Sequence, residues 1–318
     1  MRAGGRNRNW LFGAALVAVA GLGGPWAWGT YVRSLGPLDL STLREASTIA
    51  VDRDGHLLRA FTTHGGRWRL PITPNAVDPR FIAMLKMYED QRFETHGGVD
   101  YSGLVRAALQ FAASGSIVSG GSTLTMQVAR LLEPRSQRTI GAKLQQIIRA
   151  WQLEERFSKS EILRFYLALA PYGGNLEGLR AASIAYFGKE PARLSIGEQA
   201  LLTALPQSPE TRRPDRFVKA ARAARSRVLS RAVTYGLLSR AEAERARLEP
   251  IPDARRAFPM LAAHATGQAN RNDPKLKVLQ FTYQKDLQAA LEQLISEHAR
   301  RIGAHVTSAA LVINNKNG

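Results

Sequence analysis

The chain has 318 residues, enough for one large domain or two modest ones with a full hydrophobic core. It contains no cysteine, which excludes disulfide frameworks and thiolate metal sites. Its formal net charge of +18 leaves nucleic acid, anionic lipid and phosphorylated substrates open as partners and does not choose among them.

The N-terminal residues have the pattern of a membrane anchor. Residues 10–31 carry no charge, and a membrane span needs roughly 20 mostly apolar residues. Only basic charge, from Arg2, Arg6 and Arg8, precedes this stretch, which favours an N-terminus on the cytoplasmic side. The competing interpretation is a cleaved signal peptide, whose apolar core would be shorter. We expect residues 1–34 to form a cytoplasmic tip and an uncleaved single-pass anchor in the inner (plasma) membrane, with the rest of the chain in the periplasm.

Residues 35–75 contain short alternating runs separated by turn signals. Asp54-Gly55 and Gly65-Gly66 lie between the runs, and such dipeptides favour hairpin turns. The runs predict strands at residues 49–52, 57–61 and 68–70. We therefore expect a stalk and a small β-hairpin element in this region.

Residues 76–250 have apolar residues at helical spacing. Ser158 with Glu161, and Ser195 with Glu198, fit the capping box that marks a helix start. The other helical stretches are residues 81–88, 104–111 and 144–151, and an Arg/Ala-rich pair at 216–248 that is broken at Gly236. The plainest interpretation of that pair is a solvated basic face.

Residues 251–318 change composition again. They predict a strand at 278–282, a helix at 284–302 and a second strand at 309–313. Two strands and a helix do not close a domain alone, so this segment is expected to be a linker and the start of a further domain.

An acidic pair, Glu89-Asp90, lies at the end of one predicted helix. Phe93 and His96 follow it at once. A carboxylate shielded by Phe93 would have a raised pKa and act as a general base. The alternative is a solvated helix end, with Glu89 paired to Arg92 three residues later.

A hydroxyl-rich loop leads into another helix at residues 120–130. Its glycines, which include Gly121, allow close backbone approach, while Ser122 and Thr123 offer hydroxyls and helix caps. The open amides of such a helix start attract an anion such as a diphosphate, and Gln127 and Arg130 follow on one face. The alternative is an ordinary capped helix. A Walker loop is excluded, because no lysine follows the glycines at the required spacing.

Arg138, Lys143 and Arg149 supply further cations on the next helix. A basic helix is usually only a solvated face, but cations close to a base and a hydroxyl loop are better explained by a charged leaving group. The combination suggests glycosyl transfer from a lipid pyrophosphate.

Four ordered motifs carry a family resemblance, at residues 89–100, 120–130, 160–178 and 194–209. They resemble the peptidoglycan glycosyltransferase domain, glycosyltransferase family 51, over residues 49 to about 250. The Thr-Leu-Thr-Met-Gln and Ala-Pro-Tyr-Gly-Gly-Asn segments are most similar to the 1C type of bifunctional penicillin-binding protein.

The resemblance implies a mainly α, lysozyme-like fold with a membrane-embedded lobe, which polymerises lipid II into glycan strands and releases undecaprenyl pyrophosphate with inversion. By position, Glu89 is the general base on the acceptor 4-hydroxyl, supported by Asp90 and His96. The lipid-linked donor is expected to contact Gly121, Ser122, Thr123, Gln127, Arg130, Arg138, Lys143 and Gln146. The expected partners are lipid II, the nascent glycan strand and other wall-synthesis proteins, and not nucleic acid.

Two departures from the family pattern matter. Gln146 stands where the family usually has a second important glutamate. Pyrophosphate is already a good leaving group, and cations or a divalent metal (Mg or Mn) can stabilise it instead. A weakly active lipid II-binding scaffold and a lysozyme-like lytic enzyme remain as alternatives. The second departure is that no Ser-x-x-Lys or Lys-Thr-Gly motif is present. Residues 276–318 resemble only the entry to a transpeptidase domain, so we expect no transpeptidase activity from this chain.

Overall fold

A computed structural model of the chain describes residues 25–103, 121–134, 139–303 and 305–313. This part is mainly helical with a small amount of sheet, as the sequence predicts. The α-helices are α1 (Pro25–Ser34), α2 (Ser41–Arg44), α3 (Pro79–Glu89), α4 (Leu124–Leu132), α5 (Ile140–Arg156), α6 (Lys159–Leu169), α7 (Leu179–Phe187), α8 (Ile196–Ala204), α9 (Val218–Thr234), α10 (Arg240–Leu248), α11 (Ala263–Asn272) and α12 (Lys285–Ile302). The strands are β1 (Ile49–Val51), β2 (Leu57–Ala60), β3 (Trp68–Arg69), β4 (Leu176–Glu177) and β5 (Val278–Gln280), and short 3₁₀ helices cover Pro74–Ala76, Pro191–Arg193 and Leu205–Gln207.

Local side-chain caps explain where several helices begin. Ser158 and Ser195 both form the predicted capping boxes, at the starts of α6 and α8. Ser239 forms a third with Glu242 at the start of α10. Each box satisfies two amides that a helix start leaves without a partner, so these boundaries are encoded within four residues.

Two small sheets hold the strands. In the first, β1 pairs antiparallel with β2, which confirms the predicted hairpin across Asp54-Gly55, and parallel with β5. The prediction that the strands on either side of Gly65-Gly66 form a hairpin is wrong, because β3 pairs parallel with β4, with Trp68 opposite Leu176. An ion pair between Arg69 and Glu177, with Nε to Oε2 at 2.8 Å, fixes that pairing.

The segment after α12 differs from its prediction. Residues 309–313 form no strand, and Leu311 is 84% exposed. A strand needs a neighbour along its edge for its hydrogen bonds, and none of the described strands provides one. The first sheet also joins residues 49–51 to 278–280, across two of the predicted regions. The domain boundaries themselves remain a prediction.

Helix α3 lies between two parts of the hydrophobic core. Phe81 and Leu85 belong to the larger cluster, which draws on α4, α6, α7 and α8, while Met84 packs with Ala200 and Val228 in a second cluster that draws on α8 and α9. Because two adjacent sides of α3 are buried in these clusters, the position of its last residue, Glu89, is fixed by the core.

The Arg/Ala-rich pair forms α9 and α10, with the break at Gly236 as predicted, where φ is +72°. The interpretation of this helical pair as a wholly solvated basic face is wrong. Arg225 is 1% exposed and donates to the carbonyl oxygens of Arg247 and Glu249. These carbonyls lie at the C-terminal end of α10, where a cation is favourable.

Several predictions concern residues outside the described part: most of the anchor at residues 10–31, the helix at 104–111, and Arg138. Across the described residues, no helix has both the length and the apolar character required to span a membrane.

Candidate active site

Glu89 is held at both carboxylate oxygens. It is half-buried at the end of α3, where Oε2 accepts a hydrogen bond from Gln127 Nε2 at 2.9 Å and Oε1 accepts one from Gln207 Nε2 at 2.8 Å. Arg92 pairs with Asp100, its Nε donating to Oδ2 at 3.1 Å. The alternative of a solvated helix end, with Glu89 paired to Arg92, is therefore wrong.

Burial raises the pKa of Glu89, and this effect outweighs the amide bonds from Gln127 and Gln207 and the charges of Arg212 and Arg231, all of which act to lower it. A carboxylate with a raised pKa is a stronger base once it is deprotonated. The environment therefore suits proton abstraction by Glu89.

Two buried tyrosines lie within electrostatic reach of Glu89. Burial and the negative charge of Glu89 together raise the pKa of Tyr166 and of Tyr172. Both hydroxyls are consequently neutral at any working pH. Phe93, expected to shield Glu89, is itself 1% exposed, with Lys86 and Lys159 over its ring.

Asp90 and His96 fasten the turn that follows α3. Both Asp90 oxygens lie within 3.0 Å of His96 Nε2, and Oδ2 also accepts from the Leu124 amide at 2.8 Å. The Gly98 amide donates to His96 Nδ1 at 3.1 Å, so the ring proton must lie on Nε2 and be donated to Asp90. The pair ties the end of α3 to the start of α4, which fixes Glu89 relative to Gln127.

Thr123 caps α4. Its hydroxyl accepts from the Met126 amide at 3.1 Å and donates to the Gly98 carbonyl at 2.6 Å. The residue is 2% exposed, so its hydroxyl is already used within the protein, as in the alternative of an ordinary capped helix. Gly121 and Ser122 precede it and are half-buried.

A cation lies beside the loop. Lys143 Nζ donates to Ser122 Oγ at 2.7 Å and to Gln146 Oε1 at 3.1 Å, and Gln146 Nε2 donates to the Met126 carbonyl at 2.5 Å. Burial and the neighbouring Arg130 lower the pKa of Lys143 to about 8. No ion pair to Lys143 or Arg130 forms within the described residues. Two cations without a carboxylate partner are suited to a bound anion.

Arg149 does not belong to this cation group. It is 4% exposed, pairs with Glu133 at 2.9 Å and donates to the carbonyls of Leu35 and Gly36. The prediction that Arg149 contributes to a leaving-group pocket is therefore wrong, because its charge is already compensated where it ties α5 to the segment after α1.

Sequence reasoning missed three residues near Glu89, namely Gln207, Arg212 and Arg231. Gln207 lies in the last family motif but 118 residues from Glu89. Arg212 Nη1 donates to Gln207 Oε1 at 3.1 Å and to the Ala204 carbonyl at 2.7 Å. The motif match signals importance for the segment but does not indicate which side chain faces the base.

Within the described residues, one acidic and histidine cluster has the size of a metal site, at Asp52, Asp54 and His56, and it is separate from the hydrogen-bond partners of Glu89 and Lys143. Asp52 Oδ1 accepts the amides of Asp54 and His56, so the cluster is a hydrogen-bonded β1–β2 turn.

Comparison with known proteins identifies the class. Residues 54–233, more than half of the chain, match the transglycosylase family, and the chain belongs to that family. The family expected from the motifs is therefore confirmed.

Individual relatives support a finer likeness. The chain is 43% identical over 289 residues to penicillin-binding protein 1C of Escherichia coli K12, covering 91% of this chain and 37% of the relative. It is 36% identical over 225 residues to penicillin-binding protein 1A of Vibrio cholerae, covering 70% of this chain and 27% of the relative. The crystal structure of penicillin-binding protein 1A from Haemophilus influenzae aligns with a TM-score of 0.38 at 18% identity, over 86% of this chain and 33% of that one. The chain thus spans little more than a third of the length of the first relative, and the predicted likeness to the 1C type is confirmed.

Proposed function

We propose that this protein polymerises lipid II into peptidoglycan strands by inverting glycosyl transfer. One combination of residues carries the proposal. A half-buried carboxylate, Glu89, occurs in the same region as two cations, Lys143 and Arg130, and neither cation has an acidic partner among the described residues. Helix α4 links the two, since Gln127 contacts Glu89 and Met126 accepts from Gln146. Membership of the transglycosylase family supports the same reaction class.

In the proposed step, Glu89 takes the proton from the acceptor sugar 4-hydroxyl. The oxygen attacks the anomeric carbon of the donor, and the bond to the pyrophosphate breaks as undecaprenyl pyrophosphate leaves with the bonding electrons. Lys143 and Arg130 stabilise the negative charge on that leaving group, while Ser122 and Gln146 orient Lys143. Asp90, His96 and Thr123 hold α3 and α4 in register through their hydrogen bonds.

A divalent cation, Mg²⁺ or Mn²⁺, would share this charge-stabilising role. Such ions prefer oxygen ligands and carboxylates, yet the described groups around Lys143 are the neutral oxygens of Ser122 and Gln146. The diphosphate itself would therefore supply most of the ligands, and the ion would arrive with the substrate.

The finer architecture is also part of the proposal. A lysozyme-like arrangement of the helices around Glu89 is supported by the mainly helical core. An anchor at residues 10–31 would place the site at the outer face of the plasma membrane, where the lipid-linked donor resides. The uncharged span and its basic flank support that placement.

The decisive experiment is lipid II polymerisation by the purified chain in lipid vesicles. Glu89→Gln keeps the shape of the side chain but removes the base, so activity should fall by about 10²-fold or more. Glu244→Gln, on the exposed surface of α10, is the matched control and should polymerise normally. Equal activity in the Glu89 and Glu244 variants would remove the base assignment.

Two rivals give different results in the same preparation. A lytic enzyme would release soluble muropeptides from isolated sacculi, but glycosidases use a pair of carboxylates, and Asp90, the acid next to Glu89, is committed to His96. A non-catalytic scaffold would bind lipid II without forming polymer. Only the glutamine at position 146, in place of the family's glutamate, favours this alternative.

A further inference from the structure

Gln207 is the one contact of the Glu89 carboxylate that the proposed chemistry does not explain. It ends the 3₁₀ turn Leu205–Gln207 after α8, and its Nε2 donates to Glu89 Oε1 at 2.8 Å while the residue remains exposed. It thus lies at the open side of the base.

The orientation of the Gln207 amide is forced by its other neighbours. Oε1 accepts from Arg212 Nη1 at 3.1 Å and from the Tyr88 hydroxyl at 3.4 Å. If the amide were reversed, its NH₂ group would face the guanidinium and its oxygen would face the Glu89 carboxylate, and both contacts would be repulsive. Arg212 is itself held by the Ala204 carbonyl at 2.7 Å.

We propose that Gln207, oriented by Arg212, is a positioning residue that holds the Glu89 carboxylate ionised and aimed at the acceptor, and so sets the lowest pH at which the enzyme works. The inference rests on the proposed function, because it assigns a role toward the same base. A hydrogen bond to the charged form of a carboxyl group favours that form.

Other groups face Glu89 and must be separated from this effect. Arg212 and Arg231 favour its ionised form, Gln127 donates to Oε2, and Tyr166 and Tyr172 are buried neutral hydroxyls. A substitution at Gln207 that leaves these groups in place removes one donor from one oxygen. We expect the titration of the Glu89 carboxyl to move upward by about 0.5–1 pH unit when this donor is removed.

The experiment compares Gln207→Leu and Gln207→Lys with the wild-type chain. For each protein, kcat/KM for lipid II is measured against pH, and the Glu89 carboxyl is titrated by ¹³C NMR, assigned through its loss in Glu89→Gln. The acidic limb and the NMR titration should both move to higher pH in the leucine variant. Both should move to lower pH in the lysine variant, which places a cation there. Opposite shifts are not expected from a purely structural role.

Gln293→Leu is the control. Gln293 Nε2 donates to Glu297 Oε1 at 2.9 Å on the exposed surface of α12, a contact of the same kind remote in sequence from the site. It should leave both readouts unchanged. The inference is overturned if neither Gln207 variant moves the Glu89 titration. If the wild-type chain makes no polymer, the proposed function fails, and the NMR titration still decides the role of Gln207.

Discussion

The pKa of the Lys143 amine lies close to physiological pH. Burial and Arg130 bring its pKa down to about 8, so it is protonated at pH 7 and loses its charge as the pH rises above 8. We predict that kcat/KM for lipid II falls above about pH 8, by about tenfold per pH unit, because the neutral amine no longer binds the diphosphate. A pH series of initial polymerisation rates at low substrate tests this.

Lys143→Arg is the control for this loss of activity at high pH, the basic limb of the pH profile, since a guanidinium stays charged throughout the range. Its profile should remain flat above pH 8 even if its absolute activity is lower. Parallel decline in both proteins would show that another group titrates.

Gln146 is predicted to act on the same limb. With glutamate in its place, a carboxylate would lie where Oε1 now accepts from Lys143 at 3.1 Å, and an opposite charge favours the protonated lysine. We predict that Gln146→Glu moves the basic limb upward by about one pH unit. Gln268→Glu, on the exposed surface of α11, adds the same charge elsewhere and should leave the limb in place. An unmoved limb in Gln146→Glu would contradict the Lys143 assignment.

At the scale of single elements, Thr123 supports the start of the helix that links base and cations. We predict that Thr123→Val lowers the free energy of unfolding by about 2 kcal/mol, because the cap on the Met126 amide and the bond to the buried Gly98 carbonyl are both lost. Chemical denaturation of the two proteins measures the difference.

Thr123→Ser retains the hydroxyl and should recover most of that stability. Thr234→Val, which removes an exposed hydroxyl bonded to the Ser230 carbonyl, should cost less than about 0.5 kcal/mol. Equal losses at Thr123 and Thr234 would mean that the cap contributes nothing specific.

Elements whose signals are local were predictable from the sequence. The capping boxes at Ser158 and Ser195 and the β1–β2 hairpin are determined by residues a few positions apart. The partner of β3 was not predictable, because Arg69 and Glu177 are 108 residues apart, and a two-residue strand carries no pattern that specifies its neighbour.

At the scale of the whole molecule, the candidate site also has some residues that local sequence indicates and others that only tertiary packing brings in. Glu89 stands in a family motif and Lys143 on the basic helix that follows the hydroxyl-rich loop, and their residue types indicate a base and a cation. Arg149 is a cation on the same helix as Lys143, yet it pairs with Glu133 and donates to the carbonyls of Leu35 and Gly36. Gln207 approaches Glu89 only because α8 packs against α3. Sequence therefore indicates which chemistry is present, and packing decides which side chains take part.

Asp52 connects the two ends of the described chain. It follows β1, and its oxygens accept the amides of Asp54 and His56 in the β1–β2 turn and of Lys285 at the start of α12. Burial acts to raise its pKa, but the amides of Lys285, His56 and Asp54 outweigh burial and lower the pKa to about 2. A carboxylate whose pKa is depressed on folding stabilises the fold fully above its usual pKa of 3.8, and this stabilisation is lost as the pH falls towards 2.

We therefore predict that Asp52→Asn lowers the free energy of unfolding at pH 7 by about 1–3 kcal/mol, because the amide is a weaker acceptor than the carboxylate for three backbone donors. The gap between wild type and variant should narrow between about pH 4 and pH 2, where wild-type Asp52 becomes protonated. Denaturation midpoints of both proteins across that range measure the gap. Asp54→Asn, an exposed substitution in the same turn, should remain within about 0.5 kcal/mol of wild type. A gap that stays constant down to pH 2 would mean that the charge of Asp52 does not hold the β1–β2 turn to α12.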